Sequence, residues 1–281
     1  MKRVSEFLLA AAAAPKPPKW GVFLPVDNSV FSIIWSVVTI ILVYVMIGRA
    51  KTGKWIPQIR KIPGIDAFGE AVGRATEMGN PVHMTDYSTA LGEDSTFAYW
   101  SFLAYVAKMC AQYDTRFLVT DANYLVNVVN QEIVKQAYLE VGKPEAFNQD
   151  DVRFIAGSQF AWAMGVAGLI AREKPAAQFL VGYFYAESLI LAEAGNLVGA
   201  IQVAAASSPA QIPFFVAACD YTMIGEELYA GAAYVSKDPV ITGTVVAQDI
   251  MRMALYAIIL LGAIIDIISP KTNVVKTILK F

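Results

Sequence analysis

From Ser29 to Gly48 the chain reads SVFSIIWSVVTIILVYVMIG, without one charged side chain. About 20 such residues span the roughly 30 Å hydrocarbon core of a bilayer as a helix, so this run predicts a transmembrane helix over 29–48. Asp27, Asn28 and Ser29 supply N-capping side chains, and Arg49 and Lys51 follow at the far interface. A second apolar run, Met253 to Ile268, contains Asp266 as its only charge. Started near Val245 it reaches spanning length, with Asp249 and Arg252 able to pair at headgroup level, which predicts a second span over 245–268. Asp266 then falls near the opposite interface rather than at the costly centre.

The ends of the chain read as surface-lying segments. Residues 1–28 open with MKRVSEFLLAAAAAPKPPKW, which mimics a signal peptide but suits an interfacial amphipathic helix ending at Pro15. The tail, 269–281, closes on NVVKTILKF, with apolar residues and lysines on opposite faces of a short helix. Two spans leave both termini on one side and the intervening domain on the other. Arg49, Lys51, Lys54, Arg60, Lys61 and Arg252 crowd the domain's side, slightly more basic than the side of Lys16, Lys19, Lys271, Lys276 and Lys280. The expectation is a protein integral to the cytoplasmic membrane, its domain on the cytoplasmic side.

Between these spans, over 57–239, short β-rich runs alternate with longer helical ones. The strands expected are 82–85, 116–119, 152–155, 179–183 and 199–203. The helices expected are 66–78, 97–113, 124–141, 159–172, 186–194, 209–218 and 224–234. Turn residues punctuate them at Gly79-Asn80-Pro81, Gly142-Lys143-Pro144, Lys174-Pro175, Gly195-Asn196 and Ser207-Ser208-Pro209. Strands separated by helices predict βαβ units, hence an α/β fold with a mostly parallel, doubly wound sheet.

The composition is 56% hydrophobic and 16% charged, and the net charge is −2. No basic field is present to hold a phosphate backbone, so nucleic acid is not an expected partner. The expected partners are membrane lipid and further copies of the chain. Helices 159–170 (QFAWAMGVAGLI) and 209–218 (PAQIPFFVAA) lack the polar stripe of a surface helix. They belong in a thick core or against another subunit, and the second is preferred. Cys110 and Cys219, each in an apolar helical stretch, read as unpaired inert thiols in a reducing compartment.

Chemistry is sparse. G-x-x-x-x-G-K-[ST], G-x-G-x-x-G and G-x-S-x-G are all absent, and one histidine with two distant cysteines cannot build a structural zinc site. No catalytic residue, metal or cofactor is assigned. Ligands of open α/β sheets bind outside the carboxyl ends of the strands. The residues expected there are His83, Thr85 and Asp86; Thr120, Asp121 and Asn123; Ser158; Tyr185 and Glu187; Ser207 and Ser208. Of these, Thr85, Asp86, Thr120, Asp121, Asn123, Glu187, Ser207 and Ser208 are the ligand-binding candidates, with the loop 86–94 as a lid. Asp and Ser after strands equally suit N-caps of the next helix, and His83 alternates with Val82 and Met84 as a core residue would. A secondary cluster is Asp220, Glu226 and Glu227 beside Cys219. Glu187 and Glu193 sit in apolar runs, where salt bridges to Arg74, Arg153 or Arg172 are one way to hold a buried carboxylate. Phe179, Tyr183, Phe184 and Tyr185 look like strand filling rather than a base-stacking platform.

Three stretches carry a resemblance: EAVGRATEMGNPV (70–82), REKPAAQFLVGYFYAESLILAEAGNLVGAIQ (172–202) and ACDYTMIGEELYAGAAYVS (218–236). There the chain resembles an uncharacterised family of bacterial and archaeal integral membrane proteins, known only as a domain of unknown function. The resemblance implies a membrane-linked protein and supplies no reaction. Two expectations follow: a non-catalytic homo-oligomeric membrane scaffold, or a membrane-tethered enzyme or binding module for a small ligand or cation, using carboxylates at the strand ends.

Overall fold

The structure is a computed structural model that describes residues 29–53, 62–87 and 91–268. The expected interfacial segment 1–28, the tail 269–281, part of the expected lid loop and the side chain of Asp266 lie outside the described residues. The chain divides into two compact units, one from Met1–Leu42 with Ile250–Phe281, the other Val43–Asp249.

Helix α1 (Ser29–Lys51) enters the larger unit. It is followed by α2 (Pro63–Met78), β1 (Val82–Asp86), α3 (Asp94–Gln112), β2 (Phe117–Asp121), α4 (Tyr124–Val141) and β3 (Val152–Phe154). The chain continues through α5 (Gln159–Glu173), β4 (Ala177–Gly182), α6 (Glu187–Val198), β5 (Ile201–Ala206), α7 (Ile212–Ala218), β6 (Tyr221–Ile224), α8 (Glu227–Ser236) and α9 (Pro239–Ile268). The six strands form one sheet in the order β3-β2-β1-β4-β5-β6, every neighbouring pair parallel. Strand order reverses between β1 and β4, which makes the sheet doubly wound and places its switch point there.

Alternation of side chains assigns each face its cover. Val82, Met84, Phe117, Val119, Phe179 and Val203 join a core completed by α2, α3, α4 and α8. Its centre is a column of rings, Phe102, Phe68 and Phe179, with centroids 5.1 and 4.6 Å apart. Leu180, Ala204 and Ala206 face the other way, under Trp162 and Val166 of α5, Leu191 of α6 and Phe215 of α7.

Strand β6 departs from the sequence expectation, which placed a helix from 224 and no strand before it. It is a short edge strand in which only Met223 is buried, so it lacks the apolar run that betrays an inner strand. Helix α6 also continues through Gly195-Asn196, expected as a turn, and closes at Gly199 in the left-handed conformation (φ 74°). The physical reason is that Gly195 packs against the sheet: a Cβ there would stand 2.1 Å from Gln178 Oε1 and 2.6 Å from Gln202 Oε1.

Among the described residues, two helices are long and apolar enough to cross a membrane, over Ile33–Lys51 and Pro239–Ile265, and both are mostly exposed. Helix α9 starts at Pro239, six residues before the expected Val245. Asp238 sets that start, its Oδ1 accepting from Val240 N at 2.6 Å.

Candidate functional site

The carboxyl ends of β1, β2 and β4 meet at the switch point, and each ends beside a buried carboxylate. Asp86 and Asp121 are paired residues at the last register position of β1 and β2, so their side chains leave the same face of the sheet. They are 2% and 1% exposed; Glu187, which opens α6 after β4, is fully buried. The Asp86 carboxylate lies against Gly182, the last residue of β4 (φ 133°). A Cβ at that glycine would be 2.0 Å from Asp86 Oδ1 and 2.6 Å from its Cγ. Only a residue without a side chain lets the carboxylate rest over that strand end.

Asp121 is held by two side-chain amides of α4. Asn127 Nδ2 donates to Oδ2 at 2.8 Å and Asn130 Nδ2 to Oδ1 at 2.6 Å, while Asn130 Oδ1 accepts from Trp100 Nε1 at 2.8 Å. Burial nevertheless dominates and pushes the Asp121 carboxyl up to about 7, against the pull of both amides. Tyr99 of α3 is fully buried, its hydroxyl without a hydrogen-bond partner among the described residues. Burial first, and then the charges of Asp121 and Asp86, hold that phenol well above its usual range.

On the opposite face, aromatic rings cluster at the same end. Tyr87 packs on Trp162 at 5.1 Å and edge-on against Tyr185 at 6.1 Å, and Tyr185 meets Tyr183 at 5.0 Å. Glu187 accepts from Gln159 Nε2 and, at 2.8 Å, from Tyr185 N. Beneath lie Thr85 and Thr120. Thr85 Oγ1 donates to Thr120 O at 2.8 Å and Thr120 Oγ1 donates to Thr85 Oγ1 at 2.9 Å. The 2.9 Å contact between His83 Nε2 and Thr120 Oγ1 is then donated by the imidazole, which fixes the neutral Nε2–H tautomer. Burial pushes the imidazolium down to about 3, in keeping with a neutral ring.

The expected site residues therefore separate. Asp86 and Asp121 share one face, Thr85, Thr120 and His83 the other. Asn123 caps α4, accepting from Leu125 N at 2.9 Å, and Ser158 stands at the N-cap of α5 without a side-chain cap bond. Ser208 is buried beside α7, and Ser207 lies near the Tyr229 hydroxyl. The secondary cluster does not converge: Asp220 Oδ2 accepts from Gln202 N and Glu227 Oε2 from Ile224 N, so both serve edge backbone, while Glu226 occupies the N-cap of α8. Glu193 is exposed rather than buried. Arg153 pairs with Asp151 and Glu173 instead of Glu187, and Arg74 and Arg172 are exposed. Tyr99, Asn127, Asn130, Gly182 and Trp162 were not anticipated. Asn127 and Asn130 fall one turn apart on α4, a spacing that puts them on one side of the helix.

At the amino end of the sheet a cavity of about 220 Å³ is lined by Cys110, Thr115, Arg116, Tyr138 and Asp151, among others. Its charges are matched, since Arg116 bonds Asp151 at 2.6 Å and Glu173 at 2.8 Å. Among the described residues, no group of three or more His, Cys, Asp or Glu side chains is placed to hold a metal ion.

Both thiols are free. Cys219 ends α7 instead of lying within it; burial, and then Asp220, push its thiol up to about 12, and burial raises Cys110 as well. The folded protein is expected to resist iodoacetamide near pH 8 for a period in which free glutathione reacts fully. Rapid modification of Cys219 would show an activated thiol.

Residues 24–278 match a family described as a domain of unknown function, DUF6754. The chain belongs to this family. No curated protein and no solved structure matches it. For this DUF6754 protein the strand ends, rather than a characterised relative, carry the functional reading.

Proposed function

We propose that this DUF6754 protein is a membrane-anchored α/β module that binds a small polar ligand at the carboxyl end of its sheet. The observation that carries the reading is the Asp86 carboxylate resting over Gly182 at the switch point, in register with a second buried carboxylate at Asp121. A doubly wound sheet offers its ligand crevice at that place.

Anchoring is supported by α1 and α9. Ile34, Ile40, Ile41 and Tyr44 of α1 are 56–81% exposed, as are Met253, Tyr256, Leu260 and Leu261 of α9 at 57–71%. Such apolar surface on helices of spanning length suits lipid. The basic residues flanking the spans favour a cytoplasmic domain.

The test is mass spectrometry of small molecules retained by the full chain, tagged and reconstituted from native membranes into lipid nanodiscs. A compound retained by the wild type and lost from both Asp86→Asn and Gly182→Ala supports binding at this site. Identical retained compounds in all three proteins would remove it.

A second reading, assembly into a homo-oligomeric scaffold, is favoured by one specific feature. Helices α5, α6 and α7, which cover one face of the sheet, turn Phe160, Met164, Leu189, Leu197, Phe214 and Val216 outward at 45–82% exposure. The apolar character of 159–170 is thus only half used by the core of a single chain. Native mass measured in mild detergent is expected to correspond to more than one copy; a stable monomer would count against assembly.

A further inference from the structure

The helical layer α5–α6–α7 has an outer surface that a single chain leaves bare. Helix α5 packs on α6 and α6 on α7, so their outward stripes adjoin. Phe160 and Met164 follow one another at one-turn spacing along α5, as do Leu189, Glu193 and Leu197 along α6, and all five are exposed. Phe160, Met164, Leu189, Leu197, Phe214 and Val216 are 45–82% exposed. At about 150–200 Å² for each large side chain, they leave roughly 500–700 Å² of apolar surface. Patches on ordinary monomers reach about 300–600 Å². Exposed small neighbours, among them Ala161, Ala171, Pro213 and Ala217, extend the face towards the roughly 800 Å² per partner that a stable complex buries.

Charge on the same layer is balanced. Of the charged side chains within these three helices, Glu187 is buried and Glu173 pairs with Arg116 and Arg153. The other two, Arg172 on α5 and Glu193 on α6, are exposed and make no ion pair among the described residues. Arg172 folds back along its own helix: its Nη1 lies 3.9 Å from where a Cβ on Gly168 would stand. Its guanidinium is thus about one turn, roughly 6 Å, from the level of Met164. Glu193 and Leu197 are also one turn apart, and Glu193 lines a groove of about 280 Å³ between α6 and α7, with Leu189 and Phe214. Laid antiparallel, α5 of one copy matches α6 of another in spacing and in sign, Met164 on Leu197 and Arg172 on Glu193. A face that carries both halves of such a match is complementary to itself, the condition for a two-fold contact.

We infer that two copies of the chain associate through this face about a two-fold axis, with α5 of each lying antiparallel on α6 of the other and Arg172 of each paired to Glu193 of the other. The inference rests on the assembly reading above and adds the surface, the symmetry and the charge pair. It is tested on the full chain, first by native mass over a dilution series in mild detergent. Arg172→Glu and Glu193→Arg each set like charges together at both copies of the contact, and each is expected to raise the dissociation constant of the dimer about tenfold or more. The double variant restores opposite charges and is expected to return to within about threefold of wild type. Both positions are exposed, and circular dichroism checks that each variant folds. Second, Met164→Cys and Leu197→Cys chains, each also carrying Cys219→Ser, are co-expressed and mildly oxidised in native membranes. A disulfide-linked dimer joining one chain of each kind is expected, and none from either chain alone. Charge-reversed variants that associate as tightly as wild type, a double variant no tighter than the singles, or mixed cysteine chains that stay unlinked because lipid or another protein covers the face would each overturn the assignment. Those results with a wild type of more than one copy would leave the assembly reading intact with its contacts elsewhere, whereas a wild type that is monomeric at every concentration would remove both.

Discussion

Gly182→Ala is expected to destabilise the α/β unit by about 3–5 kcal/mol and to expel the Asp86 carboxylate from its seat. Two costs combine. At φ 133° the backbone lies where L side chains are strained, worth about 1–3 kcal/mol. The new methyl would also stand 2.0 Å from Asp86 Oδ1, an overlap costing about 1–3 kcal/mol more in a packed interior. Asp86→Ala separates the two. With the carboxylate gone, the three atoms nearest the new methyl go with it, so Gly182→Ala should lose that overlap and keep the backbone part, and the double variant should be less destabilised than the sum of the singles. Thermal unfolding of the four proteins, followed by tryptophan fluorescence, measures the cycle; strict additivity would mean that the carboxylate does not occupy the space over that glycine.

His83→Gln and Asp121→Asn should tilt the pH dependence of stability in opposite directions. Burial lowers His83 from 6.5 to about 3 in the folded protein. Between those values the unfolded chain binds the extra proton, so this residue makes stability fall as pH falls. Burial raises Asp121 from 3.8 to about 7. Here the folded protein binds the extra proton, so stability falls as pH rises through that interval. From about pH 4 to 6.5 both act, each with a slope of about 1.4 kcal/mol per pH unit and with opposite signs. The pair therefore nearly cancels in the wild type. His83→Gln leaves the Asp121 slope, and relative to wild type this variant should lose about 3 kcal/mol between about pH 4.5 and 6.5; Asp121→Asn should gain a similar amount over the same range. Parallel pH profiles for all three proteins would show that neither group is held as the fold implies.

Sequence patterning was most legible where local chemistry closed both ends of an element. Helix α4 spans the expected 124–141 because Asn123 caps its start and Gly142, at φ 83°, its end. The parallel sheet was legible for a related reason, its inner strands being short apolar runs set between helices. β6 was not, since an edge strand with one buried residue carries little hydrophobic signal. The candidate site was legible in part. Asp86 and Asp121 follow apolar strand runs, and the rule for open sheets places them at the crevice. Tyr99 and the two asparagines could not be assigned, because the polar or apolar character of a helix position does not say which tertiary neighbour it meets. Helix α5 shows the same limit: its uniform apolarity is divided in space between Trp162 and Val166, which the sheet covers, and Phe160 and Met164, which it does not.

The close approach of α6 to the sheet at Gly195 has an evolutionary corollary. Gln178 and Gln202 are neighbours across β4 and β5, and their carboxamide oxygens both occupy the space a Cβ on Gly195 would take, so the three positions form a steric unit. Among DUF6754 sequences, a larger residue at 195 should be found only where 178 or 202 has become smaller, and drift at any one of the three should be slow without compensation at another.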